Sequence, residues 1–100
     1  MAIDQTFAPA YGQGVTASVT GTSANSAIGA GSKSIVITNT GASNIFVRTG
    51  LAGLAATTAD YILLPLSQVS ISKPQDHTHV AYICAGSETS TINIIPGEGF

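Results

Sequence analysis

Short runs of β-branched and aromatic residues, cut apart by turn residues, constrain this chain more than any other feature. Val15, Ala17 and Val19 alternate with Thr16, Ser18 and Thr20, the period-two pattern of a strand with one buried face. Ile35-Val36-Ile37 ends at Asn39-Thr40-Gly41, a turn signal, and Ile45-Phe46-Val47 ends at Thr49-Gly50. This pair is expected to form a hairpin across residues 39–44. Tyr61 to Leu64 is the next strand, followed by Val69 and Ile71 alternating with Gln68, Ser70 and Ser72. Val80 to Cys84 and Thr89 to Ile95 complete the set, separated by Ala85-Gly86-Ser87-Glu88. About seven strands with turns every 8–12 residues or so predict an all-β fold, a single small antiparallel β-sandwich of jelly-roll or immunoglobulin-like type. Leu51, Leu54 and Ala55 sit at helical spacing, but Gly50 and Gly53 weaken the pattern, so 51–59 is expected to be a loop with one helical turn.

One hundred residues make one domain. Residues 1–14 have no period and are punctuated by Pro9, Gly12 and Gly14, which predicts an extended N-terminal arm ahead of a sandwich spanning 15–100. Phe7 and Tyr11 are the arm's large anchors and the candidate partner-docking residues, since such side chains gain little from facing solvent. The arm either docks on a neighbour by strand addition or frays as a terminus. Gly21 to Ser34, rich in Ser, Gly and Asn, is expected to be a long loop.

Only eight residues are charged, with a net charge of −2. An ordinary soluble domain carries about 25% charged residues. Ser and Thr number 23 and take their place. A surface so poor in charge is either clothed in neutral hydroxyls or covered by other protein, because mixed charge is what keeps monomers apart. Three cationic residues and no basic cluster exclude nucleic-acid binding. No apolar run reaches 18 residues, so no membrane-spanning helix is expected. The N-terminus lacks the basic start and apolar core of a signal peptide, and Cys84 stands alone, which excludes an intrachain disulfide. Synthesis in the cytoplasm fits both observations.

The residues that could carry chemistry do not converge. Gly29-Ala30-Gly31-Ser32-Lys33-Ser34 resembles a phosphate loop in composition, but its order is wrong and a strand follows where a helix N-terminus is needed. His77 and His79 point the same way on an extended segment beside Asp76, yet zinc wants a third and fourth ligand, and Cys84 has the opposite parity. Local hydrogen bonding is the expected role of both histidines. Cys84 lies inside Val80-Ala81-Tyr82-Ile83-Cys84 and reads as a buried small hydrophobe. Asp60, Asp76, Glu88 and Glu98 fall beside turns, where carboxylates are commonly caps. Tyr11, Tyr61 and Tyr82 are the aromatic candidates for a sugar site. We therefore expect no enzyme, no catalytic residue, no cofactor and no metal.

Two groups of residues carry a resemblance. One is Val47-Arg48-Thr49-Gly50 with Ala56-Thr57-Thr58-Ala59-Asp60; the other is Thr78-His79-Val80-Ala81 with the closing run Thr89-Ser90-Thr91-Ile92-Asn93-Ile94-Ile95-Pro96-Gly97-Glu98-Gly99. Over about Ile35 to Gly99 the chain resembles small β-rich structural proteins encoded in the head gene clusters of tailed bacteriophages. The resemblance implies a virion structural protein that decorates or cements the capsid by binding the lattice of the major capsid protein. It implies self-association, with a trimer expected, and no catalytic residues. A head–tail connector or fibre-attachment protein is the alternative within the virion. A carbohydrate-binding β-sandwich module is the alternative outside that role.

Overall fold

A computed structural model describes residues 8–9, 12, 14–28, 33–74 and 76–98. Nine strands appear among them: β1 (Ala8–Pro9), β2 (Val15–Val19), β3 (Ala24–Ala27), β4 (Ser34–Asn39), β5 (Ile45–Gly50), β6 (Tyr61–Leu63), β7 (Gln68–Ser72), β8 (His79–Cys84) and β9 (Ser90–Glu98). They form two antiparallel sheets. In the first, β9 lies between β4 and the pair β1 and β2, with β7 beyond β4; in the second the order is β3-β8-β5-β6. Along β9, β2 is in register from Val15↔Ile94 to Val19↔Ser90, and β1 resumes at Pro9↔Gly97. Pro96, which has no amide to give a ladder, stands opposite the break between β1 and β2.

The pairings are nested. β5 pairs with β6, β4 with β7, β3 with β8 and β2 with β9. The chain is thus one long antiparallel ribbon, folded back at residues 51–60 and rolled until β4 meets β9 and β5 meets β8. Every connection from β2 to β9 changes sheet except that from β5 to β6. This is the eight-stranded jelly roll, and it settles the choice between the two sandwich types that strand spacing left open.

The rolling corrects three expectations. Residues 35–37 and 45–47 do not form a hairpin, because β4 and β5 belong to different sheets. Their apolar faces meet across the core instead: Ile35 and Ile37 from one sheet, Ile45 and Val47 from the other. The stretch from Gly21 to Ser34 is not all loop. β3 (Ala-Asn-Ser-Ala) has little strand preference, and it is held by its ladder to β8 and by the contact of Ser26 Oγ with Tyr82 Oη at 2.5 Å. Residues 51–59 hold turns and no helix.

The core follows the alternation. Val19, Ile35, Ile37, Ile92 and Ile94 from the first sheet meet Ile45, Val47, Leu63, Val80, Tyr82 and Cys84 from the second, with Ile28 at one end. The outer face of the first sheet carries Thr16, Asn93, Thr38 and Gln68 in one cross-strand row. Asn93 donates to Thr16 Oγ1 at 3.0 Å, and Gln68 donates to Thr38 Oγ1 at 2.9 Å. The neutral hydroxyls therefore stand where charge would normally stand.

Asn39 holds the corner where the chain leaves β4 for β5, and its side chain is fully buried. Its amide nitrogen donates to the carbonyls of Ser43 (2.7 Å) and Leu63 (3.1 Å). Its oxygen accepts from Ser90 Oγ (2.6 Å) and from the Gly41 amide (3.1 Å). All four hydrogen-bonding positions of the amide are filled. A Cβ on Gly41 would collide with Ser90, so the turn also requires glycine. Replacing Asn39 by Ala should destabilise the domain by about 2–4 kcal/mol, since it strands buried partners in both sheets. The midpoint of urea unfolding measures this, and an unchanged midpoint would show that the corner is not structural.

Candidate functional site

The two sheets are open along the side formed by β6 and β7. β6 covers β5 only from Ile45 to Val47, leaving Arg48 to Gly50 without a strand on that flank. The gap is a cleft of about 380 Å³ between the sheets. Ile35, Val47, Val69, Ile71 and Val80 make it apolar, while Arg48, Thr49, Ser70 and Ser72 supply polar groups and Tyr61 stands at the side.

Apolar side chains also gather outside this cleft. Tyr61, Ile62, Leu64 and Leu66 are 54%, 42%, 55% and 80% exposed, all within six consecutive residues. Leu66 has a positive φ of 56°, a left-handed conformation that costs a non-glycine residue roughly 1–2 kcal/mol. The turn around it is closed by Ser67 Oγ donating to the Leu64 carbonyl at 2.5 Å. Ile62 begins a row that continues through Phe46 and Ile83 on the outer face of the second sheet.

A further part of that outer face is covered. The 51–60 connection crosses β5 and β8 to reach β3 at the far edge. Asn25 donates to the Leu54 carbonyl at 3.3 Å, and the Ala56 amide donates to Ser23 Oγ at 2.8 Å. Ala56 and Ala81 are buried as a result. At the base of this flap Arg48 pairs with Asp60 at 3.5 Å and donates to the Ala55 carbonyl at 3.4 Å. Asp60 in turn accepts from the Thr57 amide at 2.8 Å, which makes it a turn cap. The arginine is half exposed, so the pair adds little stability and mainly fixes where the flap starts.

The residues singled out by sequence are scattered. Phe7 and Tyr11 lie outside the described residues, as do Gly29 to Ser32 of the glycine-rich segment. His77 Nδ1 contacts Thr49 Oγ1 at 2.8 Å, and His79 Nδ1 contacts Thr78 Oγ1 at 2.8 Å, so each imidazole is engaged by a threonine hydroxyl. Among the described residues no three His, Cys, Asp or Glu side chains come together as a metal site. Tyr82 is buried in the core and Tyr61 stands at the open side, so the two do not share a site. Cys84 faces the core, and burial pushes its thiol pKa up, with the Glu88 charge adding to the shift. Sequence reasoning found the strand and turn over 61–67 but missed that their apolar residues face outward. The available signal was the absence of any charge from Tyr61 to Ser72.

No protein-family model matches this chain, and no curated protein matches its sequence. Solved structures similar to this chain include three with TM-scores below 0.5. The SPBc2 prophage-derived protein YomS is similar at 10% identity and a TM-score of 0.49, covering 83% of this chain and 94% of its own. A chain of the disulfide-linked pili that form Bacillus endospore appendages is similar at 16% identity and a TM-score of 0.47, covering 95% of this chain and 91% of its own. PirA is similar at 17% identity and a TM-score of 0.42, covering 96% and 95%. Among the described residues no helix is long and apolar enough to cross a membrane.

Two outcomes follow from this geometry. Thiol reagents at neutral pH should leave Cys84 unmodified in the folded protein and label it fully in urea; rapid native labelling would contradict its burial. The unfolded chain loses that thiol proton near the ordinary value of about 8.5, whereas the folded chain retains it. Stability tied to this group is therefore complete below that pH and declines above it. Separately, Asn25→Ala combined with Ser23→Ala should release the flap. Proteolytic cleavage within 51–60 should accelerate by about tenfold or more, as expected for losing two hydrogen bonds of about 1 kcal/mol each. Equal cleavage rates would show that these two bonds do not hold the flap.

Proposed function

We propose that this chain is a non-catalytic structural protein of a tailed-phage virion. It decorates or cements the capsid by binding the lattice of the major capsid protein, and acts as a homo-oligomer, a trimer, made in the host cytoplasm. The observation that carries this reading is the distribution of polarity over the jelly roll. One outer face carries a cross-strand row of neutral hydroxyls and amides beside Val36 and Ile95, residues 61–66 present uncharged apolar side chains, and the described charges sit mostly at turns and corners. Such a surface suits wet, modest contacts repeated over many copies, where avidity supplies the strength. Jelly rolls recur in viral capsid proteins and also in lectins, so the fold supports this role by analogy and does not specify it. The matched strand and closing motifs on β5, β8 and β9 supply the second support.

In this reading the protein acts mechanically, bridging neighbouring capsomers and adding buried surface that resists internal pressure. Purified capsids carrying the protein should rupture at a higher temperature than capsids lacking it. Equal rupture temperatures would remove the cementing role. Copy number separates the alternatives within the virion: hundreds per particle fit decoration, whereas a dozen or so fit a connector or fibre attachment.

A further inference from the structure

We infer that the β6–β7 side of the sandwich is where copies of this chain meet; the inference deepens the homo-oligomer reading above and rests on it. β6 ends its sheet with no strand beyond it, and β7 ends the other sheet on the same side. Exposed strand edges normally carry a charge, a proline or a bulge that blocks pairing with another chain. Here Tyr61 to Ser72 contains no charged residue, and Pro65 lies in the turn, outside both strands.

The apolar surface matches what such a contact requires. Taking roughly 150–250 Å² per large side chain, Tyr61, Ile62, Leu64 and Leu66 expose about 350–580 Å² at their observed exposures. A standard interface takes about 800 Å² from each partner, of which a little over half is apolar. The conformation of Leu66 points the same way: a left-handed position that glycine would fill without strain is occupied by a leucine left 80% exposed. The monomer gains neither burial nor backbone ease from it. An uncharged apolar edge meets no charge repulsion from an identical one. A second copy of this chain therefore satisfies both requirements without any further partner. Three such sides gathered about an axis would enclose their apolar residues.

The full chain and three variants test this by sedimentation across a wide range of concentration. Ile62→Lys places a charged guard on the edge, Leu66→Gly removes the exposed side chain and relieves the backbone, and Leu51→Ser alters an exposed leucine outside residues 61–72. The wild type and Leu51→Ser should associate alike, and Ile62→Lys and Leu66→Gly should each weaken association by about tenfold or more. Leu66→Gly should at the same time unfold at a higher urea concentration when studied as monomer, a split that loss of folding cannot mimic. Edge variants that associate like the wild type would overturn the assignment of this side while leaving the homo-oligomer intact. A wild type that stays monomeric at every concentration would overturn both. Edge variants that remain fully associated but no longer bind capsids would show that this side faces the capsid protein instead, which also overturns the inference.

Discussion

The side chain of Asn39 joins what the rolled ribbon would otherwise leave apart. Through one buried amide, the end of β4, the turn after it, the end of β6 and the start of β9 are tied together. A buried polar group is stabilising only when all of its hydrogen bonds are made, and this one makes them with partners from both sheets. The corner decides that the chain crosses the core here and does not turn back on itself. Once β4 and β5 are in separate sheets, the nested pairings place β9 between β2 and β4.

The division of surface follows from that arrangement. Period-two alternation sends most isoleucine and valine inward from both sheets, and on the first sheet it sends Thr, Ser, Asn and Gln outward together with Val36 and Ile95. The second sheet has the weaker outer face, with Ala81 under the flap and Phe46 and Ile83 half-buried beside Ile62. The flap covers one part of it and leaves the part that borders β6. The exposed apolar residues are thus continuous with an uncovered strip of sheet and are not an isolated turn.

Much of this was legible in the sequence because alternation and turn residues are local signals. All seven expected strands exist, and the sandwich class follows from them. What failed was non-local. A turn signal such as Asn39-Thr40-Gly41 marks a change of direction without saying whether the chain stays in its sheet. β3 escaped notice because Ala24-Asn25-Ser26-Ala27 has no strand preference of its own and owes its form to β8. The open side escaped notice because Tyr61-Ile62-Leu63-Leu64 looks like a buried strand, and only its edge position exposes it. The neutrality of the chain was plain from composition; the cross-strand row of Thr16, Asn93, Thr38 and Gln68 required the register.

The rolled ribbon also sets the order in which this protein can come into being. β9 is made after β1, β2 and β4, and all three pair with it. Until residues 90–98 have left the ribosome, β2 lacks the strand it pairs with. Loop closure between such distant segments is slow, because chain entropy is lost before any contact repays it. A growing chain therefore carries unpaired strands with almost no charge to keep them apart. Crowded synthesis of many copies at once would place those strands near one another, so the neutrality of the chain makes completion of the nine residues of β9 the point of greatest risk.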